Sequence, residues 1–352
     1  MDQLKPPYQL IRDKLCDGKV IPFLGSGASL GKREPNFVWS KDCVTCPPTA
    51  IELARHLAQK TEFPHDKPPD LPPDIEKKVL DHFAPDLAKV AQYYHIVGGR
   101  DPLEDELHSI FDRNYHLTSL HAYLADIPTP LLIVTTNYDD PIERAFDAKA
   151  KETKEERKFD VVIHTTDPDI GDCILWRKYG TEEPVAVMPN DLDINLQTTT
   201  VIYKIHGAVD RRNPEHDQYV ITEDDYIDFL ARMIKGAVIP TIFANPFQYR
   251  HFLFLGYGLR DWNMRVVWNR IEKGLNERTP KRKEKGKEIK SWAIQYKMSP
   301  LEQRFWQEHR VETYEMTIDD FVKELAAQSL SQDFSALEGG GPSSRVANGI
   351  GG

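Results

Sequence analysis

Four short groups of residues with chemically capable side chains each stand directly after an apolar run of the sequence. They combine glycines, which leave room for a ligand against the main chain, with hydroxyl, amide, carboxylate and imidazole groups. Such groups can hold phosphate and sugar oxygens and transfer a proton. The groups are Gly25 to Ser29, Thr136 to Asp139, His206-Gly207 and Gly256 to Asp261. Each alone can be explained as a turn or as a half-buried histidine bonded to a carbonyl, but together they favour one ligand site.

The apolar runs that precede these groups are predicted to be buried β-strands. They are Val20 to Leu24, Leu131 to Thr136, Val201 to Ile205 and Phe252 to Leu255. Helical patterns alternate with the strands, which predicts an α/β, Rossmann-like fold with a mostly parallel sheet and helices on both faces. Ligands of open α/β sheets bind at the carboxyl ends of the strands. We therefore expect the four groups to face one crevice, with a nucleotide as the leading ligand.

The composition is that of a soluble globular protein, with 352 residues of which 40% are hydrophobic and 28% charged. The net charge of −10 argues against a general polyanion binder, so direct binding of nucleic acid is not expected. We expect the basic run 281–290 to be a solvated loop. No membrane span and no secretory signal is visible, and the four scattered cysteines fit a reducing cytoplasm.

The sequence predicts one catalytic, nucleotide-binding domain over residues 1–330. Helical patterns over about residues 40–125 are interpreted as an insertion laid over the nucleotide fold. Thr222 is expected to cap one helix, and Asp140-Pro141 to start another. The Gly- and Ser-rich stretch 331–352 is expected to be a disordered tail.

Taken together, the four groups resemble the NAD site of the sirtuins. Gly25 to Ser29 resembles the sirtuin Gly-Ala-Gly-x-Ser loop, and Thr135 to Asp139 resembles the Thr-Gln-Asn-Ile-Asp motif, with threonine in place of glutamine. His206-Gly207 is similar to the catalytic His-Gly, and Gly256 to Asp261 to the late loop on the adenosine side of NAD. Order and spacing agree from about residue 19 to about residue 325. The resemblance implies that the site takes NAD+.

The chain also departs from the sirtuins that deacetylate proteins. Those enzymes carry a zinc ribbon with two Cys-x-x-Cys pairs after the catalytic histidine. This chain has one such pair, Cys43 and Cys46, and no cysteine after Cys173. A four-sulfur zinc site is therefore excluded at the usual place, and no metal site is predicted. Tyr138 to Ala145 and Gly256 to Asp261 resemble instead the sirtuin-like domains of bacterial antiphage defence, which hydrolyse NAD+.

That resemblance implies an NAD+ glycohydrolase, which releases nicotinamide and ADP-ribose as the toxic effector of an abortive-infection system. NAD+ is then the substrate, and no cofactor is expected. Asn137 is expected to position the water or the ribose hydroxyls, and His206 to act as the general base. Asp139 is expected to orient one of them or to hold the nicotinamide amide. The residues expected to bind NAD+ are Gly25, Ser26, Gly27, Ala28, Ser29, Thr136, Gly256, Tyr257 and Asp261.

Two other functions would use the same residues. A protein deacylase or ADP-ribosyltransferase would cleave the same bond of NAD+, although the missing zinc ribbon removes part of the sirtuin peptide cleft. A non-catalytic subunit would bind NAD+ or ADP-ribose and act as a sensor in an assembly. For the hydrolase, the resemblance implies a homo-oligomer that is controlled by a separate protein, such as a HerA-like ATPase or an Argonaute-like protein.

Overall fold

The computed structural model describes residues 5–34, 36–63, 86–153, 158–236, 238–257, 268, 283–284, 287–288 and 290–338. No helix in these ranges is long and apolar enough to cross a membrane. Asp261 and half of the basic run 281–290 lie outside the described residues.

The strands of the described chain include all four predicted apolar runs. They are β1 (Val20–Leu24), β2 (Leu132–Thr135), β3 (Phe159–His164), β4 (Ile174–Arg177), β5 (Val185–Val187), β6 (Thr200–Lys204), β7 (Gly207–Ala208), β8 (Gln218–Tyr219), β9 (His251–Leu255), β10 (Lys283–Glu284), β11 (Lys287–Glu288), β12 (Ser291–Gln295) and β13 (Val311–Glu315). The main sheet has the order β13-β12-β9-β1-β2-β6-β3-β4-β5. Within it, only β4 pairs antiparallel, with β3 and with β5, among the described strands. The prediction of a mostly parallel sheet is confirmed.

Helices cover both faces of this sheet. They are α1 (Tyr8–Cys16), α2 (Ala50–Lys60), α3 (Leu87–Gly98), α4 (Arg100–Phe111), α5 (Ser119–Asp126), α6 (Pro141–Thr153), α7 (Glu223–Lys235), α8 (Ala244–Tyr249), α9 (Pro300–Glu308) and α10 (Ile318–Glu338). Residues of β1 alternate between two cores, because successive side chains of a strand point to opposite faces. Ile21 and Phe23 pack with α7, α8 and α9, whereas Val20 and Leu24 pack with α1, α5, α6 and α10.

The region interpreted as a helical insertion has a hydrophobic core of its own. Leu53 and Leu57 of α2 pack there with apolar residues of α3 and α4. Tyr138 and Tyr219 of the main fold join the same cluster. Helix α5 packs instead with the core under the sheet, through Leu120 among others. The separately packed helices are therefore α2, α3 and α4.

Helix ends follow the capping rules used for the prediction. Thr222 accepts a hydrogen bond from the Asp225 amide and forms a capping box at the start of α7. Helix α6 starts at Pro141, as predicted. Helix α10 continues to Glu338, into the stretch that was expected to be a disordered tail, and residues 339–352 lie outside the described chain.

The register of the four central strands brings the four sequence groups to one edge of the sheet. Leu24 of β1 lies in register with Leu255 of β9 and with Thr135 of β2. Thr135 in turn lies in register with Lys204 of β6. Each of the four groups begins one or two residues beyond this row. All four therefore leave the sheet at its carboxyl edge.

The turns after β1 and β9 touch backbone to backbone. The Gly27 amide donates to the Gly256 carbonyl at 2.9 Å. A Cβ on Gly27 would lie 2.7 Å from Gly256 Cα, and a Cβ on Gly256 would lie 2.4 Å from the Ala28 nitrogen. Gly25 and Gly27 are predicted to leave room for a ligand against the main chain. In the structure, the missing side chains of Gly27 and Gly256 let the two backbones approach each other.

Gly256→Ala is expected to destabilise the protein more than the control Gly236→Ala. Both glycines have positive φ, at +68° and +78°. Alanine therefore carries a left-handed backbone cost of about 1–2 kcal/mol at either position. The added Cβ meets nothing within 4 Å at Gly236, whereas at Gly256 it meets backbone, which we expect to cost a further ~1–3 kcal/mol. The free energy of unfolding in urea measures the difference. Equal losses would show that the turns after β1 and β9 can move apart to admit the added Cβ at no cost in stability.

Candidate active site

Asn137 links the turn after β2 to the glycine turn after β1. Its Nδ2 donates to the Gly25 carbonyl at 3.0 Å and to Ser29 Oγ at 3.3 Å. The Asn137 amide donates to Thr135 Oγ1 at 3.1 Å. The side chain is half-buried, so these bonds fix its position without enclosing it. The first two sequence groups thus form one hydrogen-bonded unit.

Asp139 lies deeper in the same unit, with only 4% of the residue exposed. Burial raises the pKa of its carboxyl to about 6, because the charged form loses its hydration. The Lys204 ammonium and a hydrogen bond from Ser29 act in the opposite direction and favour the carboxylate. Asp139 is therefore an acid whose charge changes within the range of ordinary assay buffers.

Lys204 and Glu143 are buried beside Asp139 and were missed by the sequence analysis. Lys204 Nζ donates to Glu143 Oε1 at 2.9 Å and also to the backbone carbonyl of Asp139. A lysine inside the run Val201 to Ile205 was the signal available. A charge in a fully buried strand requires a partner of opposite sign.

His206 follows β6 and is also buried, with 3% of the residue exposed. Its ring lies edge-on to Tyr226 and Phe229, at centroid distances of 5.5 and 5.4 Å. Burial lowers its pKa to about 3, so the imidazole is neutral and lies outside the titration range expected from the sequence. Its Nε2 has no hydrogen-bond partner among the residues that the structure describes. A buried nitrogen without a hydrogen-bond partner is costly and requires an explanation.

The glycine after His206 is required by a tight hairpin. Gly207 has φ +91°, and a Cβ there would lie 2.1 Å from the Gln218 carbonyl oxygen. β7 pairs with β8 at this point, and the Val220 amide donates to the His206 carbonyl at 2.9 Å. Val220 also accepts a hydrogen bond from the Tyr138 hydroxyl at 2.7 Å. The hairpin therefore fixes the histidine backbone and joins it to the turn after β2.

The glycine turn is predicted to bind phosphate through its backbone amides. Fewer of these amides are free in the structure than the sequence indicated. The amides of Gly25 and Gly27 donate to the carbonyls of Leu255 and Gly256. Ser29 is buried, and Ser26 is the exposed residue of the turn. Thr136, also predicted to contact NAD+, is half-buried, and its amide donates to the Leu24 carbonyl at 3.1 Å.

The residues predicted to line the adenosine side are only partly described. Gly256 packs on the glycine turn, as given above. Tyr257 is buried, and its ring lies edge-on to Phe23 at a centroid distance of 5.8 Å. The tyrosine ring thus contributes to the core under the site. Asp261 lies outside the described residues, so its predicted role stays a prediction.

Glu143 also lines a charged cavity of about 400 Å³. Its lining includes Asp140, Arg144, Asp210 and Arg211, whereas Asn137 and His206 do not line it. Asp140 binds Arg144 Nε at 2.9 Å and Arg211 Nη1 at 3.2 Å. The cavity therefore adjoins the cluster of predicted residues without containing it. In the described part of the chain, no group of three or more His, Cys, Asp or Glu could hold a metal ion.

Comparison with known proteins shows the family of this chain. Residues 131–314 match the sequence model of the SIR2-like domain, and this range covers more than half of the chain. The chain belongs to the SIR2-like domain family. The matched range contains the turn after β2, the histidine turn after β6 and the turn after β9, so it includes three of the four groups. The resemblance to sirtuins and the α/β fold that it implies are both confirmed.

Two curated relatives are NAD(+) hydrolases. The NAD(+) hydrolase ThsA of Acinetobacter baumannii (strain 532279) is 29% identical over 203 residues, which are 57% of this chain and 33% of that protein. The NAD(+) hydrolase ThsA of Cytobacillus dafuensis is 26% identical over 208 residues, 57% of this chain and 32% of the relative. The chain thus spans about a third of the length of the curated relatives it matches.

A solved structure, cytosolic 5'-nucleotidase IIIB bound to cytidine, aligns over 94% of both chains with 10% identity and a TM-score of 0.28. A similarity at this level says nothing about function or ligand.

Asp139→Asn is expected to stabilise the protein near neutral pH. The carboxyl pKa is raised in the folded state from 3.8 to about 6, so the charged form opposes folding. This effect is absent below about pH 4, grows up to about pH 6 and then stays constant, at roughly 3 kcal/mol or less. Urea unfolding of both proteins at pH 4 and pH 7.5 measures it. The exposed Asp191→Asn serves as the control and should show no such pH dependence. A less stable Asp139→Asn protein at pH 7.5 would contradict the raised pKa.

Proposed function

We propose that this chain hydrolyses NAD+ to nicotinamide and ADP-ribose. The observation that carries the proposal is the register of the central strands, which brings the turns bearing the glycines, Asn137 with Asp139, and His206 to one edge of the sheet. Membership of the SIR2-like family and the two NAD(+) hydrolase relatives support NAD+ as the substrate. Oxidation or reduction of the nicotinamide plays no part in this reaction.

The reaction breaks the bond between nicotinamide and C1′ of its ribose. The electron pair leaves with nicotinamide, whose ring nitrogen is thereby neutralised, so the leaving group needs no acid. The transition state has oxocarbenium character, as in glycoside hydrolysis. A water oxygen bonds to C1′ and loses a proton. The protein must therefore bind the ribose, position the water and accept that proton.

Asn137 and His206 are assigned to these tasks. Asn137 is half-buried and held by Gly25 and Ser29, which suits a side chain that positions a water or a ribose hydroxyl. His206 is neutral, and its Nε2 has no partner among the described residues, which suits a proton acceptor. Water that adds to an oxocarbenium carbon becomes strongly acidic, so a weak base is sufficient. Asp139 accepts a hydrogen bond from the nicotinamide amide in this proposal.

The biological role that we assign is that of a toxic effector in antiphage defence. Support comes from the resemblance of Tyr138 to Ala145 to the sirtuin-like domains of such systems. Assembly into a homo-oligomer and control by a HerA-like ATPase or an Argonaute-like protein belong to the same proposal. Co-expression with the product of the neighbouring gene, followed by phage infection and measurement of cellular NAD+, tests this role.

Asn137→Ala and His206→Ala are each expected to lower the rate of NAD+ hydrolysis by about 100-fold or more. The expected wild-type products are nicotinamide and ADP-ribose in equal amounts, measured by chromatography with and without the neighbouring gene product. The exposed His116→Ala is the matched control and should keep wild-type activity. Thermal unfolding shows whether each variant is folded. Full hydrolysis by either site variant would remove that residue from the mechanism. NAD+ consumption only in the presence of an acylated peptide would indicate a deacylase.

A further inference from the structure

The proposed reaction does not use the buried Lys204–Glu143 ion pair, and a buried strand such as β6 does not need an ion pair in order to form. Lys204 is 1% exposed and is the last residue of β6, with β2 on one side and β3 on the other. Glu143 lies in the first turn of α6 and is also buried. Their ion pair of 2.9 Å thus connects the edge of the sheet to α6, the helix that follows the turn after β2. Burying two charges is expensive, and apolar residues would pack here as well.

Lys204 also binds the backbone of the turn after β2. Its Nζ donates to the carbonyl of Asp139, two residues beyond Asn137. Other contacts of this turn include Gly25 of the glycine turn and Val209 of the hairpin, whose amide donates to the Tyr138 carbonyl at 3.0 Å. Lys204 adds a contact from the end of β6. Its length lets a charge reach the carbonyl while the backbone stays within the sheet.

The same ammonium compensates charge at the Asp139 carboxyl. Ser29 donates a hydrogen bond to this carboxyl, and burial opposes its ionisation. Lys204 is the cation that attracts it, whereas the carboxylates of Glu143 and Asp140 repel it. Titratable or charged groups facing Asp139 are Lys204, Glu143, Asp140 and Tyr115. His121 faces Lys204 from α5 and is buried and neutral. One ammonium group thus binds the Glu143 carboxylate and attracts the Asp139 carboxylate.

We propose that Lys204, paired with Glu143, is a positioning residue that fixes the Asp139 turn and compensates the Asp139 carboxylate during NAD+ cleavage. This inference rests on the proposed function. Lys204 touches neither substrate nor reacting atoms and acts through Asp139. Glu143 has the second part, since its Oε1 accepts a hydrogen bond from Lys204 Nζ at 2.9 Å and keeps the lysine aimed at the turn.

The pH dependence of kcat separates this role from a purely structural one. In the pH profile of kcat, the wild-type rate should fall at low pH as Asp139 becomes protonated, and this fall is the acidic limb of the profile. Lys204→Met removes the attracting cation, so this acidic limb should move to higher pH, by about one unit or more, with a tenfold loss of rate per unit below the limb. Glu143→Gln removes a repelling carboxylate, so the limb should move to lower pH. Lys204→Arg keeps the cation and should keep the limb near its wild-type position. Lys290→Met breaks an exposed ion pair with Glu312 and is the control, with unchanged activity.

A second measurement keeps the test independent of turnover. Protein labelled with ¹³C at the aspartate carboxyls gives a titration curve for Asp139, assigned by its absence in Asp139→Asn. The curve should move up in Lys204→Met and down in Glu143→Gln. If Lys204→Met fails to fold because Glu143 is left unpaired, the double variant Lys204→Met/Glu143→Gln removes both charges. That protein should fold, and it should still show a kcat at least tenfold below wild type.

Opposite shifts of the two single variants, in activity and in titration, support the proposal. Activity could instead be lost without a shift of the acidic limb of kcat or of the Asp139 titration curve. The pair would then be merely structural, and the proposal would be overturned. Wild-type kcat in the double variant would overturn it as well. A wild-type protein that neither binds nor cleaves NAD+ would refute the proposed function and with it the role of Lys204. In that case the Asp139 titration alone would show whether the charge compensation exists.

Discussion

The parallel register of four central strands is the constraint on which the rest of the site depends. One row of paired residues, Leu255, Leu24, Thr135 and Lys204, crosses the sheet just before its carboxyl edge. Every predicted group starts one or two residues beyond this row. A slip of one residue in any strand would exchange the two buried faces, so the apolar cores above and below the sheet enforce the register. The predicted site residues are thus positioned by apolar packing in the rest of the sheet.

Two kinds of contact then convert a common edge into a rigid site. Backbone packs on backbone where Gly27 meets Gly256, which joins the turns after β1 and β9. Charge reaches backbone where Lys204 holds the Asp139 carbonyl, which joins the turn after β2 to β6. Both contacts are short range and leave no space for adjustment. A side chain such as Asn137 can therefore be both half-exposed and fixed, which a binding residue requires.

Strands, helices and their parallel order could be predicted because they depend on local patterns, such as the apolar run before Gly25 and the Thr222 cap. The grouping of Asn137 with the glycine turn followed from the rule that parallel strands end at one edge. The partners of Lys204 could not be predicted, since Glu143 meets it only after the chain has folded. The inward direction of the Tyr257 ring and the packing of α5 under the sheet were hidden for the same reason. Each depends on contacts between residues distant in the sequence.

Two buried polar groups at this edge of the sheet carry an energetic cost. The carboxyl of Asp139 and the orphaned Nε2 of His206 both oppose folding in the absence of a ligand. Such costs persist only where the surrounding scaffold is strong enough to impose them. Here the imposing elements are the fully buried strands β1, β2, β6 and β9. Because a substrate that hydrogen-bonds to these groups recovers part of the cost, the same features that weaken the free protein favour binding.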